Sequence, residues 1–501
     1  MLIEDGRIAA IEETIVPPPE ARVIDGSMHL VTPGFVNAHL HSFAALQKGK
    51  YDNLPLELWM LYAYPSKGVA PLSERMIYLR TLVVGMESLR AGVTSVLDDV
   101  LECPSQDLNA LRTVFRAYRD LGLRASCSGY VLDRHLIDSL PYMETVVPPS
   151  VLAELRQGEM TTVDDYIAFS KDALVEAATD RDGLVRYVLS PSGPQRCTPE
   201  LLAATHDLAV ASDSVFHLHV LETKGQLITS AKDYDRSLIQ YMSDLGVLSD
   251  HTTMAHCIWL TERDIELIAE AGATVVHNPT SNLRTGAGIA PWASLRERGV
   301  NLALGTDGIA SNGSARLFDV MRTAALIHKV VADDPARWPR AEDILQAATR
   351  GGATATRRES EVGALEVGMA ADLVLFRLDS YNFTPLNDLS NHLVYSENGA
   401  SVDTVIVGGR VVLDERRITG VDERAILAEF RELMPEFTRM WEHAEAASAA
   451  YHQYFADLYR RAADQEMSME RRLSMSDLAP TSTRERAAPA AGGVPGDNDG
   501  H

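Results

Sequence analysis

Cysteine is scarce in this chain: four residues in 501, Cys103, Cys127, Cys197 and Cys257, with no Cys-x-x-Cys pair. That argues against a disulfide scaffold or a structural zinc knuckle and makes reduced, cytoplasmic thiols the expected state. Basic charge is also in deficit, 46 Lys and Arg against 70 Asp and Glu, for a formal net charge of -24. Such a surface repels phosphate backbones, so no nucleic-acid polymer is expected as a partner. No window offers the roughly 18 uninterrupted apolar residues of a membrane span. Met1-Leu2-Ile3-Glu4-Asp5-Gly6 has neither the basic nor the hydrophobic region of a signal peptide. No membrane partner and a cytoplasmic location are therefore expected. Absent too is a Gly-x-Gly-x-x-Gly after an early strand, which disfavours an open doubly wound sheet without removing it.

What is present is the composition of a globular protein, 46% apolar and 23% charged, long enough for one large domain of about 250 to 350 residues plus a smaller one. The stretch Val31-Thr32-Pro33-Gly34-Phe35-Val36-Asn37-Ala38-His39-Leu40-His41 is an apolar strand ending in two histidines. Side chains two apart on a strand share a face, so His39 and His41 are spaced to grip one metal ion. Alone, such a pair is more often hydrogen-bonded or solvated than a metal site. After a long loop, Leu46 to Ala70, and a helix, Pro71 to Arg90, the chain alternates strands and helices. Strands are expected at Thr94 to Leu97, Arg124 to Val131, Leu184 to Ser190, Val215 to Val220, Thr252 to Ala255, Ala273 to His277 and Asn301 to Gly305. With the first, they make eight. The fold class is therefore α/β, a (β/α)8 barrel whose site lies at the strands' C-terminal ends.

Short strands flank this region. Gly6 to Ile11 and Arg22 to Gly26 precede it, and Ala371 to Phe376 and Thr404 to Leu413 follow, the last with a Gly408-Gly409 hairpin turn. Too few at either end to bury a core, they are expected to combine as a small β-sandwich of residues 1–30 and 360–415 around a barrel of residues 31–359. A helical segment follows at 416–465. Residues 466–501, turning to Pro, Ser, Thr, Gly and Ala from Ser474, are expected to be a disordered tail.

Polar residues collect where the barrel strands end: His39 and His41; His217, His219 and Glu222; His256; His277; Asp307. Each could be an ordinary strand or turn residue, but on ordered strands they describe one site. The segments Pro33 to His41, His219-Val220-Leu221-Glu222-Thr223, Ala255-His256-Cys257, Val276 to Leu283 and Gly305 to Asn312 carry a resemblance. So do Leu365 to Val374 and Val405 to Arg410. Over roughly residues 1 to 415 the chain resembles the amidohydrolase superfamily, in its cytosine deaminase-like and triazine-hydrolase-like branch.

The resemblance implies one divalent ion, zinc or else iron, held by His39, His41, His219 and Asp307. No lysine ends the fourth strand, where two-metal relatives carry a modified one. It also implies catalytic roles for Glu222, His256 and Asp307. The ion would lower the pKa of a water to about 7, Glu222 would carry a proton to a ring nitrogen, and Asp307 would pass the water's proton to a leaving ammonia. His256 would orient the water. The expected reaction is loss of ammonia from an amino-substituted N-heterocycle, a purine, pterin or triazine-like ring. Open alternatives are expulsion of chloride or an alkylamine, cleavage of an exocyclic amide, or an inactive binding homologue. A homo-oligomer is also implied.

Substrate contacts are expected from Trp59, Ser192 and His277, with Trp59 alternatively only packing and His277 alternatively structural. Leu58 separates Glu57 from Trp59, so ribose recognition is not carried over to Glu57. Ser192 stands in Ser190-Pro191-Ser192-Gly193-Pro194 where adenosine-type deaminases of the branch have a histidine, which weighs against S-adenosylhomocysteine or methylthioadenosine. Asp133 to Met160 is expected to form part of a lid. The relatives' strand before Gly6-Arg7-Ile8 is not evident in the sequence.

Overall fold

Apolar runs too short for helices and bounded by Gly or Asp form the barrel strands. A computed structural model describes residues 1–65, 69–102 and 106–472. Eight strands lie side by side in chain order, all parallel: Phe35–His41, Val93–Asp98, Arg124–Val131, Val185–Pro191, Phe216–Val220, Thr252–His256, Thr274–His277 and Asn301–Leu304. The sheet closes through the eighth strand. Its first part pairs Thr274↔Asn301 through His277↔Leu304, and after Gly305-Thr306 the chain crosses to the first strand with Asp307↔Leu40 and Gly308↔His41. Closure therefore sets Asp307 beside His41.

The helix Ala341–Gln346 continues through a π turn, Ala347–Gly351, into Gly352–Ala355 and meets the first and eighth strands. The approach needs glycine: a Cβ on Gly351 would lie 2.0 Å from the Leu302 carbonyl oxygen, and one on Gly352 2.6 Å from Val36 Cβ. Gly351→Ala is expected to destabilise the fold by about 3 kcal/mol, the upper range for forcing atoms into a packed contact, as measured by urea unfolding. Loss of less than about 1 kcal/mol would mean that the helix can move off the strand.

The second sheet draws on both ends of the chain. His29–Pro33 pairs antiparallel with Leu373–Arg377, which is followed outward by Val402–Val407, Arg410–Asp414 and Arg417–Ile418. Leu2–Glu4 and Arg7–Ala10 form a hairpin, tied on by Ile8 N–H to Met369 O at 2.9 Å, and Ile8 packs with Leu373, Leu375 and Ile406. Leu2–Glu4 thus supplies the strand ahead of Gly6. The fold is a TIM-type barrel with a β-sandwich. Arg124, at the start of the third barrel strand, joins the two through Asp372 at 2.8 and 3.1 Å, and Asp372 also accepts from Gly408 N–H at 2.8 Å. Gly408 and Gly409, at φ +54° and +74°, make the hairpin turn.

Three expectations need correction. Arg22 to Gly26 is not a strand: Val23 is 72% exposed and the segment has no pairing partner. The stretch Leu46 to Ala70 is not one loop, since Leu56–Ala63 is a helix and carries Trp59. Nor is the chain disordered from 466. Met467 and Met469 pack on the core, Arg471 donates to Leu260 O at 2.6 Å and its carbonyl accepts from Ile289 N–H at 2.8 Å. The tail from Ser474 lies outside the described residues. No helix is long and apolar enough to cross a membrane among the described residues.

The segment expected as a lid folds into Leu136–Ser139, Met143–Val146 and Pro149–Leu155. Ile137, Met143, Val147 and Leu152 pack with Leu58 and Leu61 and with Tyr451, Phe455 and Leu458 near the C-terminus. The C-terminal helices thus brace the helix that brings Trp59 to the site.

Candidate metal and catalytic site

His39 and His41 from the first strand, His219 from the fifth, His256 from the sixth and Asp307 beyond the eighth converge at the barrel's C-terminal mouth, all buried. His39 Nε2 and His41 Nε2 stand 3.5 and 3.3 Å from Asp307 Oδ1, and His219 Nε2 is 3.3 Å from His41 Nε2. His256 Nε2 faces Glu222 Oε1 at 3.7 Å. Leu221, His256 and Asp307 have φ of +48°, +75° and +60°, backbone rarely adopted by non-glycine residues. Such strain gathers where a turn must aim a functional side chain.

The donor set fits a metal. His41 Nδ1 meets Asp99 O at 2.8 Å, His219 Nδ1 meets Ser192 O at 2.9 Å and His39 Nδ1 meets His217 Nε2 at 2.9 Å. A backbone carbonyl can only accept, so His41 and His219 donate from Nδ1 and turn their Nε2 atoms inward. His39 Nε2 is buried with no hydrogen-bond partner. The ligand atoms of His39, His41 and His219 lie within 4.8 Å of one another, as do those of His39, His256 and Asp307. Three imidazoles and a carboxylate suit zinc, and this set has the shape of a catalytic rather than a closed structural site. His217, two residues before His219 on the same strand, orients His39.

Charge in the cluster points the same way. Burial would lift the Asp307 carboxyl, but His39 and His41 hold it well below the usual carboxylate range. Burial lowers His39 to about 4, and although burial also opposes a charge on His41, Asp307 and Asp99 push His41 up to about 9. The buried anion thus demands a positive charge on the Nε2 side, which a divalent ion satisfies. Glu222 moves the opposite way: desolvation raises its carboxyl, a trend His256 opposes and Asp307 reinforces. A raised carboxyl keeps a proton to give. Its backbone N–H is anchored by Gln226 Oε1 at 2.9 Å.

Above the cluster opens a recess of about 450 Å³, mouth included, walled on one side by Phe43, Leu56, Trp59, Met60 and Tyr64. Tyr130, Arg196 and Ser311 line the rest with the cluster itself. Trp59 is therefore at the recess, its indole N–H buried without an acceptor among the described residues. Ser192 stands just behind the lining, its Oγ bonded to Tyr130 Oη and to Arg196 Nη1 at 3.2 Å. Glu57 is buried close to Gly225 and its charge reaches Glu222.

His277 does not reach the recess. Val276 packs with Ala38 and Ala303 inside the barrel, so alternation turns His277 outward, against Trp292 and with Nε2 3.1 Å from His328 Nε2. Burial lowers both, His328 to about 4. Unfolded histidine titrates near 6.5, so as pH falls from about 6.5 to about 4 the unfolded chain takes up protons that the native pair refuses. Stability is expected to drop across that window. In calorimetric scans between those pH values His328→Gln is expected to show a shallower loss of Tm than the parent protein, and equal slopes would remove the pair as a cause.

Reading the sequence also missed Asp99, Asn282, Tyr130 and Arg196. Asp99 is a buried carboxylate whose Oδ2 lies 4.0 Å from His219 Nε2, and the Asp98-Asp99 pair at a strand end was the available signal. Asn282 Oδ1 fixes His256 Nδ1 at 2.8 Å and lies within the Val276 to Leu283 motif. Tyr130 and Arg196 had no spacing to mark them.

The fold and this cluster define a metal-dependent hydrolase with its chemistry at the mouth of a parallel barrel. The chain belongs to the amidohydrolase family, whose model matches residues 30–412. It is 34% identical over 428 residues, 85% of this chain and 92% of the relative, to the 5'-deoxyadenosine deaminase of Methanothermobacter thermautotrophicus. It is 33% identical over 427 residues, 84% and 90% of the two chains, to the 5-methylthioadenosine/S-adenosylhomocysteine deaminase of Syntrophobacter fumaroxidans. Among solved structures, an adenosine deaminase from Xanthomonas campestris with bound zinc superposes with TM-score 0.72 at 28% identity, covering 88% of this chain and 92% of that one. The atrazine chlorohydrolase of Arthrobacter aurescens complexed with zinc gives 0.77 at 25%, covering 87% and 94%. The protein is thus a hydrolase of this family acting on carbon–nitrogen bonds.

Proposed function

We propose that the protein is a deaminase working with a single zinc ion, held by His39, His41, His219 and Asp307, and that its substrate is an adenine-type or related amino-heterocycle. The observation that carries the reading is Glu222, a buried carboxyl raised by desolvation, facing His256 at 3.7 Å beside the metal-ligand cluster. The relatives named as 5'-deoxyadenosine and S-adenosylhomocysteine deaminases support an adenine-type ring, whereas Ser192 in place of the histidine points to a different set of contacts around that ring. When bound, the ion would make a water a competent nucleophile near neutral pH.

The chain's own groups then account for the protons. Water adds to the ring carbon bearing the amino group, the new C–O bond forms, and Asp307 takes one water proton. Glu222 gives its proton to the adjacent ring nitrogen. His256, fixed by Asn282 at Nδ1, turns Nε2 toward the attacking water and faces Glu222 at 3.7 Å. As the C–N bond breaks, Asp307 passes its proton to the departing amine, and the second water proton restores Glu222. The water's hydrogens end on ammonia and the ring nitrogen, balancing conversion of the amine to an oxo group. Proton transfers of this kind contribute about 10²- to 10⁴-fold to rate.

A second reading keeps the site and changes the leaving group, favoured by the superposition on the atrazine chlorohydrolase. A panel of purines, pterins and triazines, assayed for ammonia, chloride and alkylamine together, separates the two. Ammonia alone is expected; chloride or alkylamine without ammonia would transfer the conclusion to the second reading.

A further inference from the structure

Four arginines are buried among the described residues, and three of them have a carboxylate partner. Arg80 pairs with Glu102, Arg124 with Asp372, and Arg358 with Glu361 at 2.9 Å. Arg196, 5% exposed and lining the recess above the metal-ligand cluster, has none among the described residues. Nη1 donates to the Ser192 hydroxyl at 3.2 Å and Nη2 approaches the Met60 thioether at 3.4 Å. Nε is buried with no partner. The turn Pro194–Arg196 after the fourth strand holds it at the recess, beside Met60 of the aromatic wall. A hydroxyl and a thioether are poor compensation for a desolvated guanidinium, which is ordinarily buried only when paired. Glu222 feels its charge without forming an ion pair.

We propose that Arg196 is a substrate-binding residue that receives a carboxylate carried by the heterocyclic amine, making an acidic heterocycle the preferred substrate. The planar guanidinium fork matches a carboxylate's two oxygens, and with a guanidinium this buried such a pair is strong and directional. The ring then lies along Phe43, Trp59 and Tyr64, its amino carbon toward the histidines and its acid toward the turn at Arg196. The chain's net charge of -24 offers an anion no general attraction, so selection falls to this one local cation. The proposal rests on the deaminase reading for its consequence in turnover, but not for its consequence in binding.

The test uses two pairs of compounds that differ in the acid: adenosine 5'-carboxylate against 5'-deoxyadenosine, and pterin-6-carboxylate against 6-methylpterin. Ammonia release gives kcat and KM on the metal-loaded protein, and calorimetry gives Kd. The acid of at least one pair is expected to be favoured tenfold or more, chiefly in KM and in Kd. Arg196→Met should reduce that acid-to-neutral ratio at least tenfold, with Arg196→Lys between the two. If no compound releases ammonia, the deaminase reading fails on these rings while the Kd ratio still tests Arg196. The proposal is overturned if neither acid is favoured in binding, or if the preference survives Arg196→Met. Equal losses for acid and neutral partners would also overturn it, because Arg196 would then act on the site and not on the substrate's charge.

Discussion

Glu222→Gln is expected to lower kcat for ammonia release by about 10³-fold, in the middle of the range for a positioned proton donor, while the protein keeps its full metal content. The amide preserves size and the Gln226 contact, which is made through the Glu222 backbone. What it removes is the transferable proton on a carboxyl raised by desolvation and set beside His256. Because Glu222 belongs to neither group of candidate ligand atoms, metal analysis and kinetics should separate cleanly. Activity within tenfold of the parent would mean that another group protonates the ring nitrogen.

His219→Ala is expected to lose the metal and with it all measurable turnover. His219 is one of three imidazoles converging on one point, with Nδ1 anchored to Ser192 O and Nε2 turned inward. Alanine leaves His39, His41 and Asp307, three of the four proposed ligands, and removes an inward-facing imidazole whose place no other group of the cluster takes. Elemental analysis after dialysis should show well under half the parent's metal. His217→Phe gives a graded comparison, since it removes only the group behind His39; outer partners of this kind typically cost about 10- to 100-fold in affinity. Unchanged metal in His219→Ala would mean that the ligand set is wrong.

The barrel is legible in the sequence because its strands are short apolar runs, buried on both faces, that stop at polar residues. The same stops disclosed His39, His41, His219, His256 and Asp307. What the strand-end rule does not supply is the face. His217 and His219 share one and divide the work, one orienting a ligand and one joining the cluster, while His277 ends its strand on the other face and meets His328. The helix Leu56–Ala63 escapes notice because it is buried almost all round, including Leu56, Leu58, Trp59, Met60 and Leu61. With no polar side it shows no 3.6-residue stripe. Arg22 to Gly26 misleads in the opposite way, its β-branched Val23-Ile24 reading as a strand where no neighbour is available to pair. Arg196 is beyond local pattern altogether: its meaning lies in the partner it lacks, which only the folded arrangement reveals.

The measurement that bears most directly on the central claim is product analysis with metal-replete and metal-stripped protein. Incubated with amino-substituted purines and pterins in isotopically labelled water, the replete protein should yield ammonia and the oxo-heterocycle in equal amounts. The label should enter the new oxo group. Chelation should abolish the reaction and zinc should restore it. Full activity after complete metal removal, or no ammonia from any amine tested, would contradict a metal-dependent deaminase.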